Sequence, residues 1–178
     1  RINPYDSYQS MLSDPAVNTV IVTLPPALHG EDGIQAASAG KNIIVEKPID
    51  IDPEKADRLI QACRKNNLKM AVIFQNRYTA AAQKVKTALD QGVLGKILLA
   101  DAYIKWYRSP KYYQSGAWRG TWEIEGGGAL INQAIHTIDL VQWFMGGAHS
   151  VYGRIKTAFH QIETEDLGLA IVEYKNGA

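Results

Sequence analysis

The chain has 178 residues, of which 46% are hydrophobic and 21% charged, so it can bury a sizeable core and is not of disordered composition. A formal net charge of +1, with no run of Lys and Arg interleaved with aromatics, argues against nucleic acid as a partner. One cysteine, Cys63, excludes an internal disulfide and any Cys-rich metal site and fits a reducing, cytoplasmic compartment, and no apolar run of spanning length points to a membrane.

In chain order, Ser7 to Leu12 predicts a short helix ahead of Asp14-Pro15, and the β-branched run Thr19 to Leu24 predicts a buried strand stopped by Pro25-Pro26. A helix from about His29 to Ala39 stops at Gly40, and Asn42 to Lys47 forms a second strand stopped by Pro48. Asp52 as N-cap and Pro53 in the first turn open a helix to about Lys65, and Met70 to Phe74 is a third strand. Strands alternating with helices imply βαβ units, hence a parallel sheet expected to be covered on both faces.

After a helix at Ala80 to Gln91 the pattern changes. Lys96 to Tyr107 alternates as a strand of an antiparallel sheet, and a loop rich in Tyr, Arg and Trp runs from Arg108 to Trp122. Alternating strands are expected at Val151 to Phe159 and Leu167 to Tyr174, and Asn176-Gly177 is a hairpin turn signal. The fold class is therefore α/β followed by α+β, with a partial dinucleotide-type parallel sheet over residues 1–78 and an open antiparallel or mixed sheet over 79–178. No G-x-G-x-x-G follows a strand, so the chain, opening at Arg1 without Met, reads as starting where the second half of such a fold would start.

Between these strands lies GGGALINQAIHTIDLVQWFMG, Gly126 to Gly146, predicted as a buried helix. Asn132, His136 and Asp139 share one narrow face at i, i+4 and i+7, with Trp143 continuing the row. Asp139 is the one formally charged residue from Gly126 to Gly153, so the stripe is expected to face a protein-lined cavity rather than water.

Ligands of an open parallel sheet bind beyond the carboxyl ends of its strands, and here those ends are polar: Leu24-Pro25-Pro26 with His29, Glu46-Lys47-Pro48, and Gln75-Asn76-Arg77-Tyr78. Pro48 fixes the backbone beside Lys47 and makes that bond a candidate for the cis form. A lysine in a partly dry cleft gives up its proton more readily and can serve as acid or base, although a lysine at a strand end is more commonly just solvated.

These residues carry a resemblance. Val20 to Pro26 with His29, then AGKNIIVEKP, FQNRY and WRGTWEIEGGGALINQAIHTIDL, are similar in order to the Gfo/Idh/MocA family, the glucose-fructose oxidoreductase and inositol dehydrogenase relatives. The resemblance implies hydride transfer between NAD or NADP and a carbon of a sugar, polyol or sugar derivative. It makes Lys47 the lysine that relays the substrate proton and His136 its partner. Pro25, Pro26, His29, Glu46, Lys47, Pro48 and Gln75 would lie along the cofactor, with Trp118 and Arg119 resembling the Trp-Arg pair near the nicotinamide. Arg108, Tyr112 and Tyr113 are candidate substrate contacts by position, and Asn132 stands where many members carry Asp, so it can hydrogen-bond a sugar hydroxyl but cannot act as a base.

No metal site is expected. Two rival readings are a non-catalytic sugar sensor of the same architecture and a metal-dependent hydrolase using His136, Asp139 and His160, which lack a tight ligand-spacing motif. The amphipathic strand Lys96 to Tyr107, with Leu99, Tyr103 and Tyr107 on one face, suggests a homodimer or homotetramer through the open sheet.

Overall fold

The computed structural model describes residues 4–178, which divide into two compact units. One runs to Ile73 and includes Glu123–Gly126; the other comprises Phe74–Trp122 and Gly127–Ala178.

In the first unit, α1 (Tyr8–Ser13) starts with a capping box between Ser7 and Ser10 and leads to β1 (Thr19–Val22). A 3₁₀ turn at Pro26–Leu28, α2 (His29–Ser38), β2 (Asn42–Val45), α3 (Pro53–Lys65) and β3 (Met70–Val72) follow. The strands pair in parallel in the order β1-β2-β3, with Ile21 beside Ile44 and Ile44 beside Ala71. β1 and β2 stop two residues earlier than predicted, just ahead of Pro25 and Pro48, which have no N–H to offer a ladder. Helix α3 begins as expected, Asp52 accepting from the Glu54 amide with Pro53 in the first turn.

Val20, Val22, Ile43 and Val45 are buried in one core with Ala36, Ala37, Leu59 and Cys63. The expectation of a sheet covered on both faces is corrected here: Ile21 is 61% exposed and Ala71 is exposed as well. The reason is topological. Both crossovers advance in the same direction across the sheet, and right-handed connections place α2 and α3 on the same side.

In the second unit, a 3₁₀ turn at Gln75–Tyr78 leads to α4 (Ala80–Asp90), capped by Thr79. A short helix α5 (Pro110–Gln114) interrupts the stretch predicted to be loop. A π-helical turn at Ala129–Ala134 runs into α6 (Ile135–Met145), and β4 (Ala148–Lys156) pairs antiparallel with β5 (Leu167–Tyr174), Tyr152 opposite Ile171. The tail turns at Asn176-Gly177, the Gly177 amide donating to the Tyr174 carbonyl at 2.8 Å.

Lys96 to Tyr107, predicted as a strand, is not one. It carries the alternation of a strand but finds no ladder partner, because the antiparallel sheet among the described residues consists of β4 and β5 alone. Leu98, Leu99, Tyr103 and Tyr107 are accordingly exposed. Among the described residues no helix is long and apolar enough to cross a membrane.

Candidate active site

In the first unit the expected residues gather at the carboxyl edge of the sheet. Lys47 is half-buried just past β2, and the Lys47–Pro48 peptide is cis. The Glu46 carboxylate folds back to accept from the Lys47 amide at 3.2 Å. His29 is 1% exposed, its Nδ1 lying 2.7 Å from the Pro48 carbonyl oxygen and its Nε2 2.6 Å from that of Leu24. The ring thus braces the ends of β1 and β2 against each other, and both nitrogens are engaged within the protein.

Asp50, which the sequence reading did not single out, is buried and occupies the start of α2. Its Oδ2 accepts from the Gly30 amide at 2.9 Å, and a Cβ on Gly30 would lie 2.6 Å from that oxygen. The Glu123–Gly126 segment belongs to this unit, the Ala27 amide donating to the Ile124 carbonyl at 3.1 Å. Gly126 has φ +76° and would drive a side chain into Ile51, so glycine is required there on both counts.

In the second unit one member of the expected stripe has its partner within the protein. Asp139, 9% exposed, is held by Arg77, whose Nε and Nη2 donate to the two carboxylate oxygens at 2.7 and 2.6 Å. The Arg77 guanidinium also sits over the rings of Phe74 and Trp143, at 5.7 and 5.4 Å. Asp139 and Trp143 therefore fix α6 to the Phe74–Arg77 segment, a bidentate pairing that a lysine could not reproduce. His136 meets the Phe74 ring edge to face at 6.4 Å.

The π turn that carries Asn132 is held by Glu165. Its carboxylate accepts from the amides of Gly128 and Leu130 at 3.0 and 2.9 Å, and its carbonyl accepts from Ala129 at 2.8 Å. These are the amides a helix start leaves without an intrahelical partner. Wide turns of this kind recur at functional sites. Beyond the turn, the Asn132 and Gln133 amides and Arg119 all donate to the Tyr112 hydroxyl, at 3.3, 3.0 and 2.5 Å. Arg119 lies 4.3 Å over the Tyr112 ring and 4.4 Å over that of Trp118. Arg108 donates to Gln133 Oε1 at 2.5 Å.

Arg108 and Tyr113, both candidate substrate contacts, share an open cavity of about 680 Å³ with Gln133 and His160. Asn132 and His136 do not line it. His160 Nδ1 lies 2.9 Å from Asp166 and its Nε2 2.7 Å from the Arg108 carbonyl, so this histidine anchors the cavity wall. Burial would raise the Asp166 carboxyl, but the amides of Ala158, His160 and Phe159 and the His160 ring outweigh it and hold the group well below the usual carboxylate range. A depressed folded-state value stabilises the fold above the unfolded carboxylate pKa of about 4 and is lost as pH falls below it. Acid unfolding should therefore be shallower in Asp166→Asn than in wild type; parallel stability profiles from pH about 5 to about 2 would contradict that assignment.

With Asp139 taken by Arg77 and His160 by Asp166, the hydrolase constellation of His136, Asp139 and His160 does not assemble. Among the described residues no group of three His, Cys, Asp or Glu is placed to hold a metal ion. Gln75 is exposed at the start of its 3₁₀ turn, and Pro25 and Pro26 are half-buried.

Residues 1–74 match the family model described as "Oxidoreductase family, NAD-binding Rossmann fold", and residues 82–178 match the "GFO/IDH/MocA C-terminal domain". The chain belongs to the Gfo/Idh/MocA family. The WlbA dehydrogenase of Bordetella pertussis, solved in complex with NADH and UDP-GlcNAcA, superposes with a TM-score of 0.93 at 36% identity, covering 98% of this chain and 54% of that one. Levoglucosan dehydrogenase of Pseudarthrobacter phenanthrenivorans is 32% identical over 157 residues, 87% of this chain and 40% of its own length. The scyllo-inositol 2-dehydrogenase (NAD(+)) of Bacillus subtilis is 28% identical over 178 residues, 97% and 49% of the two chains. This Gfo/Idh/MocA chain thus spans about half the length of the relatives it matches.

Within the family frame the first unit fits part of a dinucleotide. At the carboxyl edge of β1, Leu24 and Leu28 are 44% and 47% exposed beside half-buried Pro25, Pro26, Glu46 and Lys47, an uncovered and partly apolar rim. The start of α2 is already filled by the Asp50 carboxylate, so a pyrophosphate does not fit there.

Proposed function

We propose that this Gfo/Idh/MocA protein is an NAD(P)-dependent dehydrogenase acting on a secondary hydroxyl of a sugar, polyol or sugar derivative. The observation that carries the reading is Lys47, half-buried at the carboxyl end of β2 in a parallel sheet matching the NAD-binding family model. The solved and curated relatives, whose names concern a UDP-sugar, levoglucosan and scyllo-inositol, support the substrate class.

In this reading Pro25, Pro26, Glu46, Lys47 and Pro48 lie along the nicotinamide half of the cofactor, with Gln75, Trp118 and Arg119 as further contacts. His29 acts indirectly, by keeping the strand ends in place. When bound, the nicotinamide supplies the hydride acceptor. Lys47 takes the hydroxyl proton through its ammonium–amine couple, and His136 is the second group of suitable chemistry. Asn132 and Arg108 hold substrate oxygens, and Tyr113 contributes its ring to the cavity wall.

The protein also assembles as a homodimer or homotetramer through its open sheet. Support comes from Tyr152, Leu167, Leu169 and Ile171, which share one face of β4 and β5 by register and are 65%, 50%, 69% and 75% exposed. Full-length protein should show nicotinamide absorbance changes with at least one member of a sugar panel and scatter light as an oligomer at micromolar concentration. Sugar binding without turnover would favour the sensor instead, and a monomer would rule out the assembly.

A further inference from the structure

The three acidic residues of the connection between β4 and β5 are spent on main-chain amides. Glu163 accepts from Trp122 at 3.1 Å, Glu165 from Gly128 and Leu130, and Asp166 from Ala158, Phe159 and His160 together with the His160 ring. The arginines of the same unit that flank Tyr112 have only neutral acceptors. Arg108 donates to the Gln133 side chain and Arg119 to the Tyr112 hydroxyl, and the two guanidiniums lie against the same Tyr112 ring at 5.0 and 4.3 Å. Among the described residues neither forms an ion pair, and the Nε of each is buried without a hydrogen-bond partner. Two like charges against one ring repel, and half-buried cations are costly without a counter-charge. Arg108 lines the larger cavity together with Lys105, which also forms no ion pair among the described residues. Against these two cations the cavity wall carries one carboxylate, Asp166, and both its oxygens are already accepting.

We propose that the substrate of this dehydrogenase is anionic: a sugar or polyol derivative carrying a carboxylate or a phosphate, held in the larger cavity by Arg108 and Lys105, with Arg119 adding its charge from beside Tyr112. The proposal rests on the dehydrogenase reading above and narrows its substrate class. A guanidinium matches either anion through paired N–H donors, and the ammonium of Lys105 acts as a point charge for both. The ligand then supplies the negative charge that Glu163, Glu165 and Asp166, bound to amides, do not.

The test is a set of initial rates in the full-length protein, with NAD and with NADP, on hexoses matched in carbon skeleton, each as the neutral sugar, the uronate, the 6-phosphate and the uridine diphosphate sugar. One anionic form should exceed its neutral parent in kcat/KM by about tenfold or more, the size of a charge-assisted hydrogen bond. A leading uronate identifies a carboxylate as the group that is read, and a leading 6-phosphate or nucleotide sugar identifies a phosphate. Arg108→Gln should narrow that ratio by about tenfold, chiefly through KM, and added salt should narrow it in wild type. Neutral parents performing as well as every anionic form would overturn the anionic class and leave the dehydrogenase reading intact. So would an Arg108→Gln variant that slows neutral and anionic forms by the same factor. Should that variant fold poorly by circular dichroism, Lys105→Gln, at an exposed position, decides: an unchanged ratio there, with a salt-independent ratio in wild type, sinks the proposal. A wild-type protein that oxidises none of the forms overturns the dehydrogenase reading, and the assignment of its substrate with it.

Discussion

Replacing Lys47 by Met in the full-length protein is expected to lower kcat by about a hundredfold or more while cofactor affinity changes little, the size expected when a general acid-base group is removed. Oxidation of a secondary alcohol leaves a hydroxyl proton to be taken as hydride departs, and the acceptor must lie within hydrogen-bond reach of that oxygen. In the proposed reading Lys47 is that acceptor; it is half-buried at a strand end, and Glu46 turns its carboxylate onto the Lys47 main-chain amide. Met keeps the length and apolar stem of lysine but has no proton to exchange. His136→Asn, on α6, separates the two roles open to the imidazole. A loss smaller than that of Lys47→Met means His136 orients the substrate, and a larger one makes it the base. Turnover of Lys47→Met within a factor of about three of wild type would refute the lysine's role and leave His136 to carry it.

Gly128→Ala is expected to be the most destabilising single methyl in the second unit. The added Cβ would stand 2.0 Å from the Glu165 carbonyl oxygen and 2.8 Å from Thr164 Oγ1, and the first of these is main chain. The penalty follows from this steric contact. Relief requires Glu165 to retreat, which breaks its hydrogen bonds to Gly128, Ala129 and Leu130 together. Overpacking of this kind costs about 3 kcal/mol or somewhat more, a fall in Tm of roughly 5–10 °C for a chain of this size. A variant melting within about 1 °C of wild type would show that the π turn is not held by this contact. The same shift should carry through to the site, since Asn132 rides on that turn.

Hydrophobic period and punctuation were enough to place most elements. The short β-branched runs ended by proline became β1 and β2, Asp52-Pro53 began α3 where capping chemistry puts it, and the nearly uncharged stretch after Gly128 became helix. The motif Glu46-Lys47-Pro48 and the position of His136 were legible because they lie at strand ends and on a helix face, features set within a few residues of sequence. Other features depend on partners distant in the chain. Lys96 to Tyr107 has the alternation of a strand and is not one, since a strand exists only when another supplies its hydrogen bonds. The parallel sheet reads as buried on both sides, yet its face is decided by the hand of the crossovers, which β-branched composition cannot report. Asp139 looked reactive because a lone charge in an apolar stretch demands a partner, and only the fold supplied Arg77, 62 residues away, to satisfy it. Asp50 and Glu165 gave no local signal at all. Each acts on backbone groups that approach it through tertiary packing, at sequence separations of 20 and 37 residues from Gly30 and Gly128. The sequence alone thus determined which elements form and where the candidate proton-transfer groups stand, by local periodicity and chain stops. The tertiary structure decided what holds those groups, because a buried polar atom takes whichever partner the fold brings to it.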